Sequence, residues 1–296
     1  MSHFPGRPLD HLVMPTANLA SARARLEALG FTVAPDGVHP FGTENCCVYF
    51  SDGTFLEPLA IRDRQLALDA ASQGNVFVAR DADFRRRRGD EGCSALVFGT
   101  DDAHADDAAF RDKDVSAGGM LDFSRPFTDA VGRTGAASFR LAFAADPHAP
   151  DIFFFTCQRI NAPKVDRASL QTHANGATRL STVVLAARKP SDHAGIVLDA
   201  SEAAGAEGLD DASIRIETPN AQILILAPAA LEAQFQLADL GDNGLHARAV
   251  VFGVGDLGET EKLLNRAGIA YVALGDRLVV APVMGQGAAF AFEENA

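Results

Sequence analysis

Three side chains in the first sixty residues of this 296-residue chain have the types and spacing to do chemistry: His11, His39 and Glu57. Glu57 is the most demanding of them. The stretch TFLEPLAI, from Thr54 to Ile61, reads as a β-strand, and alternation puts Phe55, Glu57 and Leu59 on one face. A carboxylate between two large apolar neighbours loses hydration, and burying it unpaired is costly. Its bland solution is a neighbouring Arg or backbone amides. His11 lies in the apolar run LDHLVMP, where it is either a reactive group or a hydrogen-bonded strand histidine. His39 sits in the loop HPFGTEN, where it either orients a substrate or builds the turn, and Asn45 reads as a turn-fixing side chain. Imidazole and carboxylate together are the means of general acid–base catalysis.

Elements that could hold these residues follow a repeated order. LDHLVMP is a strand, and Asn18 caps a helix with Leu19, Ala22, Leu26 and Leu29 on its apolar side, ended by Gly30. GFTVAP, ENCCVYF and TFLEPLAI then read as three strands, giving β-α-β-β-β. A second unit begins at SALVFG, runs through the helix DDAHADDAAFRDKDV and closes with GRTGAASFRLAFA and PDIFFFTCQ. An insert near 62–92, with apolar Leu66, Leu68, Val76, Phe77 and Phe84, reads as one or two helices between these units. The third unit runs from RLSTVVLAAR to the hairpin SIRIETP and AQILILAP. The fourth is ARAVVFGV, DLGETEKLLNRAG, IAYVAL, DRLVVAP and AAFAFEE. Such irregular repetition, at roughly 50 to 80 residues, indicates internal duplication in an α+β protein. Residues 1–160 and 178–296 are the expected domains, joined by the polar, turn-rich linker 161–177.

Composition removes several classes of function. The net charge is −13 and the pI about 5.0, which repels phosphate backbones and makes nucleic acid an unsuitable partner. The one basic run, Arg85 to Arg88, precedes Asp90 and Glu91 and reads as a solvated helix end, or else as an anion site. No signal-peptide pattern and no apolar span of about 20 residues is seen, so no membrane partner is expected. Cys46, Cys47, Cys93 and Cys157 form no CxxC pair and read as reduced core residues, in keeping with a cytoplasmic protein.

Strand, helix and three strands, used in pairs, resembles the module of the vicinal oxygen chelate superfamily, which includes glyoxalase I, extradiol dioxygenases and bleomycin-resistance proteins. The first 160 residues are similar to its glyoxalase-like domain group. The likeness is carried by Leu9-Asp10-His11-Leu12-Val13, Gly30-Phe31, His39-Pro40, Gly42-Thr43, Asn45, Leu56-Glu57 and the later FFFTCQR. It implies four βαβββ modules paired into two cupped mixed sheets, with the site in the first cup.

In that superfamily metal ligands project from the first and last strands of a module, which here are the strands of His11 and Glu57. The resemblance therefore implies one divalent ion (Zn, Ni, Mn or Fe) on His11 and Glu57, with Glu57, His11 and His39 as catalytic residues. The second module does not repeat the pair: the counterpart of His11 falls near Ser94, and that of Glu57 near Thr156, Cys157 or Gln158. His246 and His193 read as solvent-facing. The second half reads as structural, covering the first or dimerising with it. Its cup is expected to be filled by Val183, Leu185, Ile223, Ile225, Val251 and Phe290. A glyoxalase-like lyase or isomerase acting on a small molecule is the implied function. A metal-independent binding or resistance protein is the rival, and ring cleavage is disfavoured for lack of a two-His-one-carboxylate set.

Overall fold

The computed structural model describes residues 6–128, 134–161, 168–210, 212–242 and 244–295. The first module comprises β1 (Leu9–Pro15), α1 (Leu19–Ala28), β2 (Gly37–Val38), β3 (Thr43–Asn45), β4 (Val48–Tyr49) and β5 (Phe55–Ile61). The insert is two helices, α2 (Arg64–Ser72) and α3 (Val76–Arg88). The second module follows as β6 (Ala95–Gly99), α4 (Ala103–Asp112), β7 (Leu121–Thr128), β8 (Thr134–Ala144) and β9 (Phe153–Asn161). Asn18 caps α1 as expected, its side chain accepting from the Ser21 amide.

Two expected strands change form. GFTVAP is irregular, because Phe31 turns into the core while other groups satisfy the backbone. Arg23 donates to the carbonyls of Val33 and Ala34, and His173 Nδ1 accepts from the Thr32 amide. ENCCVYF is broken at Cys46–Cys47 into β3 and β4, which both pair with β5. The start of GRTGAAS, residues 132 and 133, lies outside the described residues.

The second half supplies β10 (Ala177–Ala186), α5 (Ala194–Ser201), β11 (Ala206–Asp210), β12 (Ser213–Glu217), β13 (Gln222–Leu226) and α6 (Pro228–Phe235). It ends with β14 (His246–Val254), α7 (Leu257–Arg266), β15 (Val272–Leu274), β16 (Arg277–Val280) and β17 (Ala289–Glu294). Two mixed sheets result. The first has the order β2-β3-β5-β1-β6-β9-β8-β7 with β4 beside β5, and the second β11-β12-β13-β10-β14-β17-β16-β15. The orders correspond strand for strand, so the duplication read from the sequence is real at the level of topology. The first sheet ends at Asn161 and the second begins at Ala177, while residues 162–167 of the expected linker lie outside the described residues.

One face of each sheet and the apolar sides of α1, α4, α5 and α7 form a single core. Phe31 packs there against Phe50, Phe252, Phe290 and Phe292, joining the halves through rings 5.0 to 6.1 Å apart. The second half therefore covers the helical back of the first sheet and leaves its front free. On that front face α3 packs through Val76, Phe77 and Val78 against Val13, Leu59, Val97 and Phe155. Leu66 and Leu68, expected to be apolar contacts of the insert, point to solvent at 43% and 53% exposure.

The corresponding face of the second sheet is solid. Leu231 and Phe235 of α6 close it against Val184, Leu224, Leu226, Val251 and Ala291. The expectation of a filled cup thus holds, but five of the six side chains named for it (Val183, Leu185, Ile223, Ile225 and Phe290) face the shared core instead. A parity error of one residue in a strand moves its whole set to the other face. Helix α6 forms from PAALEAQF, a segment for which the sequence pattern predicts no element. Among the described residues no helix is long and apolar enough to cross a membrane.

Candidate functional site

Glu57 and His11 sit on adjacent parallel strands, β5 and β1, where His11 is in register with Phe55 and Val13 with Glu57. The imidazole stacks on Phe55, ring centroids 4.2 Å apart and 16° from parallel, and this directs Nε2 to 3.4 Å from Glu57 Oε2. Its other nitrogen, Nδ1, lies 2.9 Å from Asp10 Oδ2. Neighbouring strand residues ordinarily point to opposite faces, but the β1–β6 ladder slips between Leu9 and His11, and this bulge turns Asp10 toward the site. Arg159 of β9 donates to both Asp10 oxygens at 2.6 and 3.0 Å.

The other oxygen of Glu57 is held from β3. Asn45 pairs with Leu59 across the sheet, shares the face of Glu57, and donates from Nδ2 to Oε1 at 2.5 Å. Its role is to hold the carboxylate, which corrects the turn-fixing reading. His39 follows β2 and is buried in the cavity wall, stacked on Phe41 at 5.1 Å. Its amide donates to the Thr43 carbonyl, Nδ1 lies 2.8 Å from Thr43 Oγ1, and Nε2 lies 3.6 Å from Glu57 Oε1. With Asn45 Nδ2 facing Nε2 at 3.4 Å, the network assigns the proton of a neutral His39 to Nδ1 and leaves a lone pair on Nε2.

These contacts drive the two histidines apart. Burial disfavours the charged form of His11, but hydrogen bonds to Asp10 and Glu57 outweigh it and raise its proton affinity above that of a free imidazole. Burial pushes His39 down to about 4, with Arg125 adding to the effect and Glu57 opposing it. Burial also works against the Glu57 carboxylate, yet the His11 and Asn45 hydrogen bonds and the nearby imidazoles bring it down to about 2. The carboxylate that looked costly in the sequence is thus compensated by His11 and an amide.

The sheet curls enough for its two ends to meet: Arg125 of β7 donates to Asn45 Oδ1 of β3 at 3.4 Å, although the strands are far apart in the sheet order. The curl encloses a cavity of about 50 Å³ walled by Phe41, Phe55, Phe77, Phe123, Phe139 and Phe155. His11, His39, Glu57, Asp10, Arg125 and Arg159 supply its polar atoms. Sequence reading missed Asp10, Arg125 and Arg159. A charged pair opening an apolar strand, Asp10-His11, was the available signal for the first; the arginines carried none.

The expected second-module counterparts do not add ligands. Ser94 precedes β6, whose front face carries the apolar Ala95 and Val97. Cys157 lines the cavity from β9, and burial keeps its thiol protonated. His11, Glu57 and His39 make a two-His-one-carboxylate grouping that the sequence did not suggest, but His39 approaches the carboxylate oxygen opposite the one facing His11. Among the described residues the only three such donor atoms mutually within 4.8 Å belong to Asp151, Asp242 and His246. That cluster already holds a cation: Arg88 binds Asp151 at 2.6 Å and also pairs with Asp242. His246 is therefore buried and hydrogen-bonded to Asp242, correcting its solvent-facing reading, and His193 is likewise buried. The basic run ends α3 as expected, with Arg86 exposed. Its Arg85 and Arg88 instead turn inward to Asp81 and Asp151. All four cysteines are free and buried.

The paired curled sheets and the buried polar group in the front of the first define a vicinal oxygen chelate architecture. The sequence profile of the glyoxalase-like domain family matches residues 9–200, and the chain belongs to that family. The match runs past the expected boundary at 161–177 and into the second half. Among solved structures, a hypothetical protein from Staphylococcus aureus is 13% identical with a TM-score of 0.66, covering 97% of this chain and 99% of that one. A variant of 4-hydroxymandelate synthase from Streptomyces coelicolor is 12% identical with a TM-score of 0.62, covering 99% and 94%. At these identities the likeness is one of fold, and it includes both sheets. A search of curated protein sequences finds no match.

Proposed function

We propose that this protein is a small-molecule enzyme of the lyase or isomerase type, moving a proton at a carbon next to an oxygen function in the cavity of the first sheet. The observation that supports this is the pair of histidines on either side of Glu57 with opposite proton affinities, since environments that push two groups apart assign acid and base. His11 is the acid: a carboxylate near each nitrogen raises its proton affinity above that of a free imidazole, and it lines the cavity. His39, neutral with its Nε2 lone pair inward, is the acceptor. A proton passing from the substrate carbon to His39, matched by one from His11 to the substrate oxygen, gives an enol. Where the substrate carbon bears a hydroxyl the product is an enediol. His39 then returns its proton to the former carbonyl carbon while the other hydroxyl gives its proton back to His11, which forms the new carbonyl and completes an isomerisation. Glu57 stabilises His11 as the imidazolium and His39 once it is protonated, and the phenylalanine walls exclude water, which strengthens both effects.

A divalent ion on His11 and Glu57 is the second reading, favoured by their 3.4 Å approach. Such an ion would polarise adjacent substrate oxygens. The donor set fits it poorly: only two donors face one point, and Asn45 donates to the same carboxylate. No step is assigned to it.

The test is incorporation of solvent deuterium into small 2-oxo and 2-hydroxy compounds, followed by NMR, alongside elemental analysis of protein purified without added metal. Exchange that survives chelation and is lost in His39→Asn supports proton transfer. One tightly held divalent ion per chain, released in Glu57→Gln, would replace this reading with the metal one. Ligand binding without any exchange would leave a binding protein.

A further inference from the structure

We propose that the substrate is a short-chain carboxylate whose carboxylate group is bound by Arg125, placing the neighbouring oxygenated carbon between His11 and His39. This rests on the proton-transfer reading of the same cavity and narrows it to a chemical class.

Arg125 reaches the cavity from β7, half-buried, with its guanidinium carbon 5.8 Å from the centre of the Phe139 ring. Among the described residues its one hydrogen bond is from Nη1 to the neutral Asn45 Oδ1, and no carboxylate lies within ion-pair reach of it. The other arginine of the cavity, Arg159, is by contrast committed to Asp10. A guanidinium presents a planar fork that matches a carboxylate through two parallel hydrogen bonds. Phenylalanine walls make that pairing stronger than it would be in water.

Space is also kept for this cation. Gly37 of β2 faces it, and a methyl group built there would fall inside the contact distance of Arg125 Nη1 and 2.5 Å from Asn45 Oδ1. Asn45 in turn touches both Glu57 and His39, so Arg125 is one side chain removed from the proton-transfer groups. The size of the cavity bounds the rest of the ligand. At about 50 Å³ it is smaller than the ~150 Å³ cavity that accepts benzene in an engineered protein core. That size favours a chain of a few carbon atoms over an aromatic side group.

The experiment is titration calorimetry on the full chain with three probes: pyruvate, its neutral analogue hydroxyacetone, and phenylpyruvate. Pyruvate is expected to bind at least tenfold more tightly than either. Arg125→Gln should weaken pyruvate about 10- to 100-fold and leave hydroxyacetone unchanged, as for a lost hydrogen bond to a charged group. Arg125→Lys should recover part of the loss, and an unchanged melting temperature shows that the variants are folded. Equal binding of pyruvate and hydroxyacetone, undiminished pyruvate binding in Arg125→Gln, or no pyruvate binding at millimolar concentration overturns the proposal. Tighter binding of phenylpyruvate overturns the size limit. The two readings separate cleanly. Arg125-dependent binding of pyruvate without deuterium exchange sinks proton transfer and keeps the carboxylate, whereas exchange into neutral compounds alone does the reverse.

Discussion

Asp10 and His11 are consecutive residues of one strand whose side chains hydrogen-bond to each other at 2.9 Å, on a single face of the sheet. The bulge that permits this gives His11 a carboxylate on each nitrogen, Asp10 on Nδ1 and Glu57 near Nε2. A histidine so placed is held in one orientation and one charge state.

Asp10→Asn tests that role. Asp10 acts through His11, so it is a positioning residue, and its loss should lower the proton affinity of His11. If His11 is the acid, kcat/KM falls as pH rises through its titration, and in Asp10→Asn this fall should move to lower pH. A fall of the same depth at every pH, with no displacement, would indicate a merely structural role.

Glu57→Gln keeps the shape and the acceptor for Asn45 but removes the charge facing His11. Breaking a buried pair from one side leaves the other charge uncompensated, and a loss of about 3 to 5 kcal/mol in urea unfolding near pH 6 is expected. Turnover should fall about 100-fold or more. Undiminished turnover would exclude the carboxylate from the mechanism.

His39 gives a pH signature of its own. It is held at about 4 in the folded chain against 6.5 for a free imidazole, so between those values the unfolded chain binds a proton that the folded one does not. Its contribution to stability is complete above pH 6.5 and is lost as pH falls toward 4, by up to ~1.4 kcal/mol per pH unit. His39→Asn should flatten the stability curve across this window relative to the parent. Parallel curves would mean that His39 is not buried and neutral.

Gly37→Ala changes no charge yet should displace Arg125. A cost of about 1 to 3 kcal/mol is expected from the overlap, together with loss of anion affinity. Wild-type affinity in this variant would show that the guanidinium has room to spare.

Phe235→Ala probes the second sheet. Removing a fully buried ring from the α6 plug should cost about 3 to 5 kcal/mol, read from chemical unfolding, with no effect on ligand binding in the first sheet.

Much of this arrangement was legible in the sequence. Strand-helix periodicity gave the four modules, and parity on β1 and β5 placed His11 and Glu57 on one face, because both depend on local repeat lengths of 3.6 and 2. What stayed hidden depends on departures from those periods or on distant strands. Alternation sends Asp10 the wrong way, and only a bulge corrects it. Arg125 and Asn45 meet because a sheet curls, which no local window contains. His39 resembled a loop residue because its burial comes from Phe41, Phe77 and Phe123, three rings brought together only in the folded sheet. In the second half a slip of one residue exchanged the two faces of β10 and β13, since strands apolar on both sides give no parity signal.

Helices α2 and α3 join β5 to β6, and α6 joins β13 to β14, which is the same crossing in the matching strand order. Both connections drop onto the front of their sheet. The longer one spans it and leaves room beneath; the shorter one sinks into it. One chain therefore displays two fates of a common framework side by side, a vault and a plug, and the difference lies in the segment that bridges the central strands. Capacity for a guest in this architecture is set by that bridge, and remodelling it, with every sheet residue kept, is the route by which the silent half could be hollowed out.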